Sequence, residues 1–206
     1  MTAEHRLLIA NRGEIALRIA DSARLSGWQC VGVHARGEEP GRRLRAAFPD
    51  DEMHALSGSG PAAYLQIKEL LDLAVARGCT AVHPGYGFLS ESADFAEACQ
   101  ERGLIWIGPP PQTLRLLGDK ARARALATDN GVPVLAGSPA FAELAPAEQW
   151  CRDWFAQHAA EAASNPSVDR LLLLKAVAGG GGRGQRFVRS PEELASAFAR
   201  AQSEVG

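Results

Sequence analysis

The sequence lacks the marks of several large protein classes. Its 206 residues contain no long apolar run, so none reads as a transmembrane helix. The opening "MTAEHRLLIANRGE" has too short an apolar core for a secretory signal. There is no basic cluster and the formal net charge is -2, which argues against nucleic acid or an anionic membrane surface as the main partner. The four cysteines, Cys30, Cys79, Cys99 and Cys151, form no CxxC and no Cys/His ligand pair. That excludes the usual spacing of a structural zinc site and reads instead as buried free thiols in a reducing cytoplasm. Internal repeats and low-complexity tracts are also absent. What remains is an ordinary globular composition, 46% hydrophobic, long enough for one large domain or two small ones.

In the first half, short apolar runs alternate with amphipathic segments. "RLLIAN" (6–11), "CVGVHA" (30–35), "EMHAL" (52–56), "TAVHP" (80–84) and "LIWIGPP" (104–110) read as strands. Between them, Ile15, Ile19 and Ala23 recur at helical spacing, with Gly27 as a stop. A helix is expected over 62–78, with Ile67, Leu70, Leu71 and Ala74 on one face, and another over 92–103. Such alternation predicts an α/β fold: a Rossmann-like parallel sheet with helices on both faces. Sites on such sheets lie beyond the carboxyl ends of strands, which singles out "ANRGE" and "HPGYGFLSE".

The second half differs. Residues 114–131 read as helical on both sides of Gly118, 132–137 as a strand, and 141–162 as a long helix or helical hairpin bearing Trp150 and Trp154 as core or interface residues. "RLLLLKAVA" (170–178) and "QRFVRS" (185–190) read as two strands flanking a glycine loop. Ser190, Pro191 and Glu193 form a capping-box pattern opening a final helix over 190–205.

The glycine loop carries the strongest chemical signal. Gly179 to Gly182 are consecutive, followed by Arg183 and Gly184, and Lys175 lies on the strand that feeds them. Glycine N–H groups turn toward an anion with no side chain in the way, and the two cations add charge. The set suits a nucleoside triphosphate; the plainer alternative is a mobile hairpin tip. No Gly-Lys-Ser/Thr follows, so this is not a Walker A loop, and no helix follows directly, so it is not a dinucleotide fingerprint. "NRGE" places Asn11 and Gly13 at a strand-to-helix turn that on physics alone can hold an anion. His83 reads as structural rather than as a base or metal ligand, and Glu91 as either a helix cap or a cleft residue.

Four segments in order, "IANRGEIALRI" (9–19), "HPGYGFLSE" (83–91), "IGPPPQTLRLLGDK" (107–120) and "KAVAGGGGRGQRFV" (175–188), resemble the N-terminal part of biotin carboxylase, the ATP-grasp component of biotin-dependent acyl-CoA, pyruvate and urea carboxylases. The resemblance implies a first domain at 1–112, a helical linker at 113–133 and a partial ATP-grasp lid at 134–206. It implies a ligase that uses ATP, magnesium and bicarbonate to carboxylate biotin on a carrier protein. Lys120, Lys175, Gly180, Gly181, Gly182, Arg183 and Gly184 fall on ATP-binding positions; Gly85, Tyr86 and Gly87 fall on the biotin side of the cleft. Arg18 falls near the family's dimer interface. Partners implied are the biotin carboxyl carrier, a carboxyltransferase and a second copy. The catalytic residues and magnesium ligands are expected beyond residue 206, so the chain alone is expected to be inactive.

Departures are Ala178 where the family's loop begins with glycine and Gln185 where it has methionine. The Ala- and Trp-rich segment before "LLLLK" suggests an acyl-CoA carboxylase branch. Another ATP-grasp ligase would share the glycine loop but not the first two segments. A non-catalytic nucleotide-binding or carboxylase-interaction module is the remaining alternative.

Overall fold

The computed structural model describes residues 5–48, 52–135, 137–159, 171–176 and 184–204. The chain divides into two compact units, Met1–Gly118 and Asp119–Gly206.

The first unit is built on five parallel strands, β1 (Arg6–Ile9), β2 (Gln29–Arg36), β3 (Met53–Ser59), β4 (Ala81–His83) and β5 (Ile105–Trp106), in the order β3-β2-β1-β4-β5. The inner strands β1, β2 and β4 are apolar on both sides because both faces are covered, whereas the edge strand β3 carries polar, exposed residues. Leu8, Val31, Val33, Val82 and Trp106 point into one core with Leu70, Leu71 and Ala74 of α3 (Ile67–Ala76) and Phe95 and Cys99 of α4 (Ala93–Glu101). Leu7, Ile9, Cys30 and Ala81 point the other way, against Ala16, Ala20 and Ala23 of α1 (Gly13–Leu25). The face of α1 is alanine because the helix lies close to the strands. At Gly32 the approach is closer still: an added Cβ would sit 2.9 Å from Phe48 and Met53. A short α2 (Arg42–Ala46) links β2 to β3, and α5 (Pro111–Gly118) closes the unit.

The expected helix over 62–78 is in fact two pieces, a 3-10 turn at Pro61–Leu65 and α3 from Ile67. Gln66, with ψ 82, breaks the α-helical course between them. The turn carries the fully buried Tyr64, whose hydroxyl accepts from Ala35 N–H at 3.1 Å and donates to Glu38 Oε2 at 2.9 Å. Burial, reinforced by the Glu38 bond, pushes that phenol up to about 12, so it stays a neutral donor.

The second unit contains α6 (Lys120–Asp129), α7 (Leu144–Gln157), an antiparallel pair β6 (Leu172–Lys175) and β7 (Gln185–Val188), a 3-10 turn (Pro191–Glu193) and α8 (Leu194–Ser203). Ala147, Cys151, Val188, Leu194 and Ala197 form its core, with Leu172 and Leu174 against it. The strand expected over 132–137 is not formed: 132–135 and 137 lie in no regular element, and Val132, Val134 and Leu135 are exposed, with no strand among the described residues pairing with them to satisfy a ladder. The capping box also resolves differently. The Ser190 side chain makes no cap bond, and Glu193 Oε2 accepts from Arg189 N–H at 2.8 Å, one residue earlier than the motif predicts.

Candidate functional site

All strands run parallel, but the order in which they are added reverses between β1 and β4, and the crevice of such a sheet opens beyond the carboxyl ends of the strands at that point. The two loops singled out in the sequence meet there. The loop after β4 is held in an uncommon shape: Gly85 and Gly87 both have φ +71, and Phe88, a bulky residue, has φ +46. A non-glycine residue in the left-handed region costs roughly 1–2 kcal/mol, so the surroundings must hold it there. Asn11 at the end of β1, 2% exposed, donates through Nδ2 to Pro84 O (2.7 Å) and Tyr86 O (2.9 Å). Its Oδ1 accepts from Arg12 N–H at 2.9 Å. The Arg12 guanidinium lies 5.8 Å from the centroids of both Tyr64 and Phe88 and bonds Glu38 at 3.1 Å. Phe88 in turn packs on Tyr64, centroids 4.9 Å apart. The strained loop is thus braced at both ends, and Tyr86 stands out from it, 79% exposed.

His83 has the structural role expected for it. Its Nδ1 accepts from Gly85 N–H at 3.0 Å, which fixes the proton of the neutral ring on Nε2. Burial lowers its pKa from 6.5. Between the folded value and 6.5 the unfolded chain binds a proton that the folded chain does not, so stability rises with pH through that window. The contribution is whole above 6.5 and shrinks as pH falls below it. We expect the urea midpoint to fall between about pH 7.5 and pH 5.5, and His83→Asn, which keeps an acceptor in place of Nδ1 but does not titrate, to flatten that fall. An equal fall in the variant would assign the dependence elsewhere.

Glu91 is exposed, and the cap role belongs to its neighbour: Ser92 Oγ accepts from Phe95 N–H at 3.2 Å. Arg18 is exposed on α1 and bonds Ser22. All four cysteines are free and buried. Burial pushes Cys30 and Cys79 up to about 11 and Cys99 to about 12, far from a reactive thiolate.

In the second unit, strand alternation sorts the leucine run of β6. Leu172 and Leu174 turn toward α7 and α8, while Leu173 and Lys175 turn outward. Register places Leu173 opposite Phe187 and Lys175 opposite Gln185. One face of the hairpin therefore presents an apolar pair, Leu173 (42% exposed) and Phe187 (57%), next to a cation. Sequence reading missed this face because four successive leucines show no alternation. Gly180, Gly181, Gly182 and Arg183 lie outside the described residues; Gly184 is described, with φ +67. Its carbonyl accepts from Ala176 N–H at 2.9 Å, and its own N–H donates to Glu204 Oε2 at 2.9 Å. Glu204 also pairs with Arg186. The structure thus brings Lys175 and Gly184 to the same end of one hairpin, with Glu204 as an anchor that no motif flagged. Lys120 enters from another element, as the first residue of α6 behind the cap Asp119, whose carboxylate accepts from Ala121 and Arg122 N–H at 2.9 and 3.0 Å. A cation at a helix N-terminus works against the helix dipole, so its placement there is not explained by helix stability.

Comparison with known proteins decides the family. The family model described as "Biotin carboxylase, N-terminal domain" matches residues 3–114. The chain belongs to the biotin carboxylase family. It is 38% identical over 201 residues to the biotin carboxylase of a Nostoc species, covering 98% of this chain and 42% of that protein. It is 41% identical over 203 residues to mouse mitochondrial pyruvate carboxylase, covering 97% of this chain and 16% of that protein. Among solved structures it is similar to the biotin carboxylase domain dimer of 2-oxoglutarate carboxylase from Hydrogenobacter thermophilus in complex with MgADP, ADP and bicarbonate. There the TM-score is 0.83 at 34% identity, covering 97% of this chain and 40% of that one. The chain therefore spans less than half the length of these relatives. No described helix is long and apolar enough to cross a membrane.

Proposed function

We propose that this chain is the ATP-binding N-terminal part of a biotin carboxylase, which spends ATP on bicarbonate and transfers the resulting CO2 to N1 of biotin on a carrier protein. The observation that supports it best is the outward face of β6 and β7, where Lys175 stands beside Leu173 and Phe187. A cation next to an apolar strip matches the two ends of a nucleotide, phosphates and base. Lys120 and Lys175 neutralise phosphate charge; Gly180, Gly181, Gly182 and Arg183 supply backbone and side-chain donors to the same oxygens, and Gly184, its N–H bonded to Glu204, anchors the end of their loop. Phosphoryl transfer needs little else from a protein than such positioning and charge. Gly85, Tyr86 and Gly87 line the biotin side.

Magnesium, when bound, would supply charge neutralisation at the phosphates. Among the described residues no group of three His, Cys, Asp or Glu side chains is placed to hold a metal ion. On this reading 1–112 is the N-terminal domain, 113–133 a helical linker and 134–206 part of the lid. The partners are a biotin carboxyl carrier, a carboxyltransferase and a second copy, in a reducing compartment such as the cytoplasm. The acceptor of the carboxyl group is an acyl-CoA, on the strength of the Ala- and Trp-rich segment before β6.

The test is phosphate release from MgATP by the complete carboxylase carrying this chain, with and without bicarbonate and free biotin. Release that requires bicarbonate and rises with biotin is expected; release indifferent to both would sink the reading. The 206-residue chain alone should bind MgATP weakly and release no phosphate in response to bicarbonate.

A further inference from the structure

On physics alone the turn "NRGE" can hold an anion, while the family resemblance points to a structural role there; the structure commits the Asn11 side chain to the loop after β4. We propose that Asn11 is a positioning residue for Tyr86, holding the loop that presents this ring; the inference rests on the reading that Tyr86 faces biotin. The carboxamide is fully employed. Nδ2 donates to Pro84 O at 2.7 Å and to Tyr86 O at 2.9 Å, and Oδ1 accepts from Arg12 N–H at 2.9 Å. The two carbonyls flank Gly85, so one amide grips the turn on both sides of it. Gly85 allows the grip: with φ +71 its backbone lies on the amide, and an added Cβ would sit 2.6 Å from Asn11 Nδ2. From the other side His83 Nδ1 accepts from Gly85 N–H. The backbone of Tyr86 is thereby fixed while its ring is left 79% exposed.

An amide fits both roles. In a carboxylate the oxygen in place of Nδ2 would face two carbonyls with no proton to offer, and an aliphatic residue would leave the buried Pro84 carbonyl and the part-buried Tyr86 carbonyl without this donor. A ring displaced by about 1 Å from a reacting partner can cost on the order of a hundredfold, so loosening this grip acts on biotin and not on ATP.

In the complete carboxylase, Asn11→Asp is expected to raise KM for free biotin about tenfold while KM for MgATP stays within about twofold. Added to Tyr86→Ala it should do no further harm, because both changes remove one effect. Proportional losses for both substrates, or additive losses in the double variant, would overturn the proposal. If Asn11→Asp does not fold, Asn11→Ser, which keeps one donor and adds no charge, replaces it. The 206-residue chain gives an independent reading through 3-fluorotyrosine, since it has two tyrosines, Tyr64 and Tyr86. The fluorine resonance of Tyr86 should move in the Asn11 variant, and that of Tyr64, which touches the same loop through Phe88, should move less; an unmoved Tyr86 resonance counts against the clamp. An unchanged KM for biotin in Tyr86→Ala would sink the placement of Tyr86 itself, a separate failure, since the fluorine spectrum reads the clamp without substrate.

Discussion

Replacing Lys175 with alanine should lower bicarbonate-dependent ATP cleavage by the complete carboxylase about 10²–10³-fold, the loss usual when one preorganised donor to developing charge is removed. Lys175 closes β6, opposite Gln185, at the end of the hairpin that leads into the glycine loop. Its exposed position makes it cheap to remove structurally: the core behind the strand is made by Leu172, Leu174 and Val188, none of which the change touches. The thermal midpoint should therefore stay put while activity falls. Most of the loss should appear in kcat, because the charge on the transferring phosphoryl group grows toward the transition state. Lys175→Arg should recover part of it, since the charge returns in a different shape. Activity within threefold of the parent in Lys175→Ala would remove this residue from the site.

The second large effect concerns the scaffold. Phe95→Ala is expected to destabilise the first unit by about 3–5 kcal/mol, the range for emptying a buried aromatic site. Phe95 is fully buried on α4 and meets Trp106 edge-on, centroids 5.3 Å apart. Its removal leaves a void between α4 and β5 that the close-packed Val82 and Cys99 have little freedom to fill. Amide exchange of Leu8 and Val82 in the central strands is the measurement, and exchange about 10²–10⁴-fold faster is the expected reading. A change under tenfold would mean that the core collapses around the gap. In the carboxylase, such a loss would reach Tyr86 only through its scaffold, so ATP and biotin kinetics would decline together. That pattern differs from the one expected at Asn11.

The four family segments carried the assignment to biotin carboxylase, and the periodic segments carried the parallel sheet. Both are local signals. A helix such as α3 repeats its apolar residues at its own period, and a strand buried on both faces is an unbroken apolar run, so each element is visible without its neighbours. What failed was also local in cause. The strand expected at 132–137 has the right residues but no ladder partner among the described residues, and the cap at Ser190 has the right pattern but a different bond. Residue type alone does not supply a partner.

The sequence by itself determined the alternation of strands and helices, the family, and which lysines and glycines stand where a nucleotide is expected. The tertiary structure decided how those pieces act. It gave Asn11 a grip on Pro84 and Tyr86, although 73 and 75 residues separate them in the chain. It separated Leu173 from its identical neighbours by facing it outward beside Phe187 and Lys175, and it set Glu204 against Gly184. These are contacts between residues distant in sequence, made by strand order, register and helix packing. Periodicity and motif spacing record only neighbours along the chain, so they carry no trace of such contacts until the sheet is assembled.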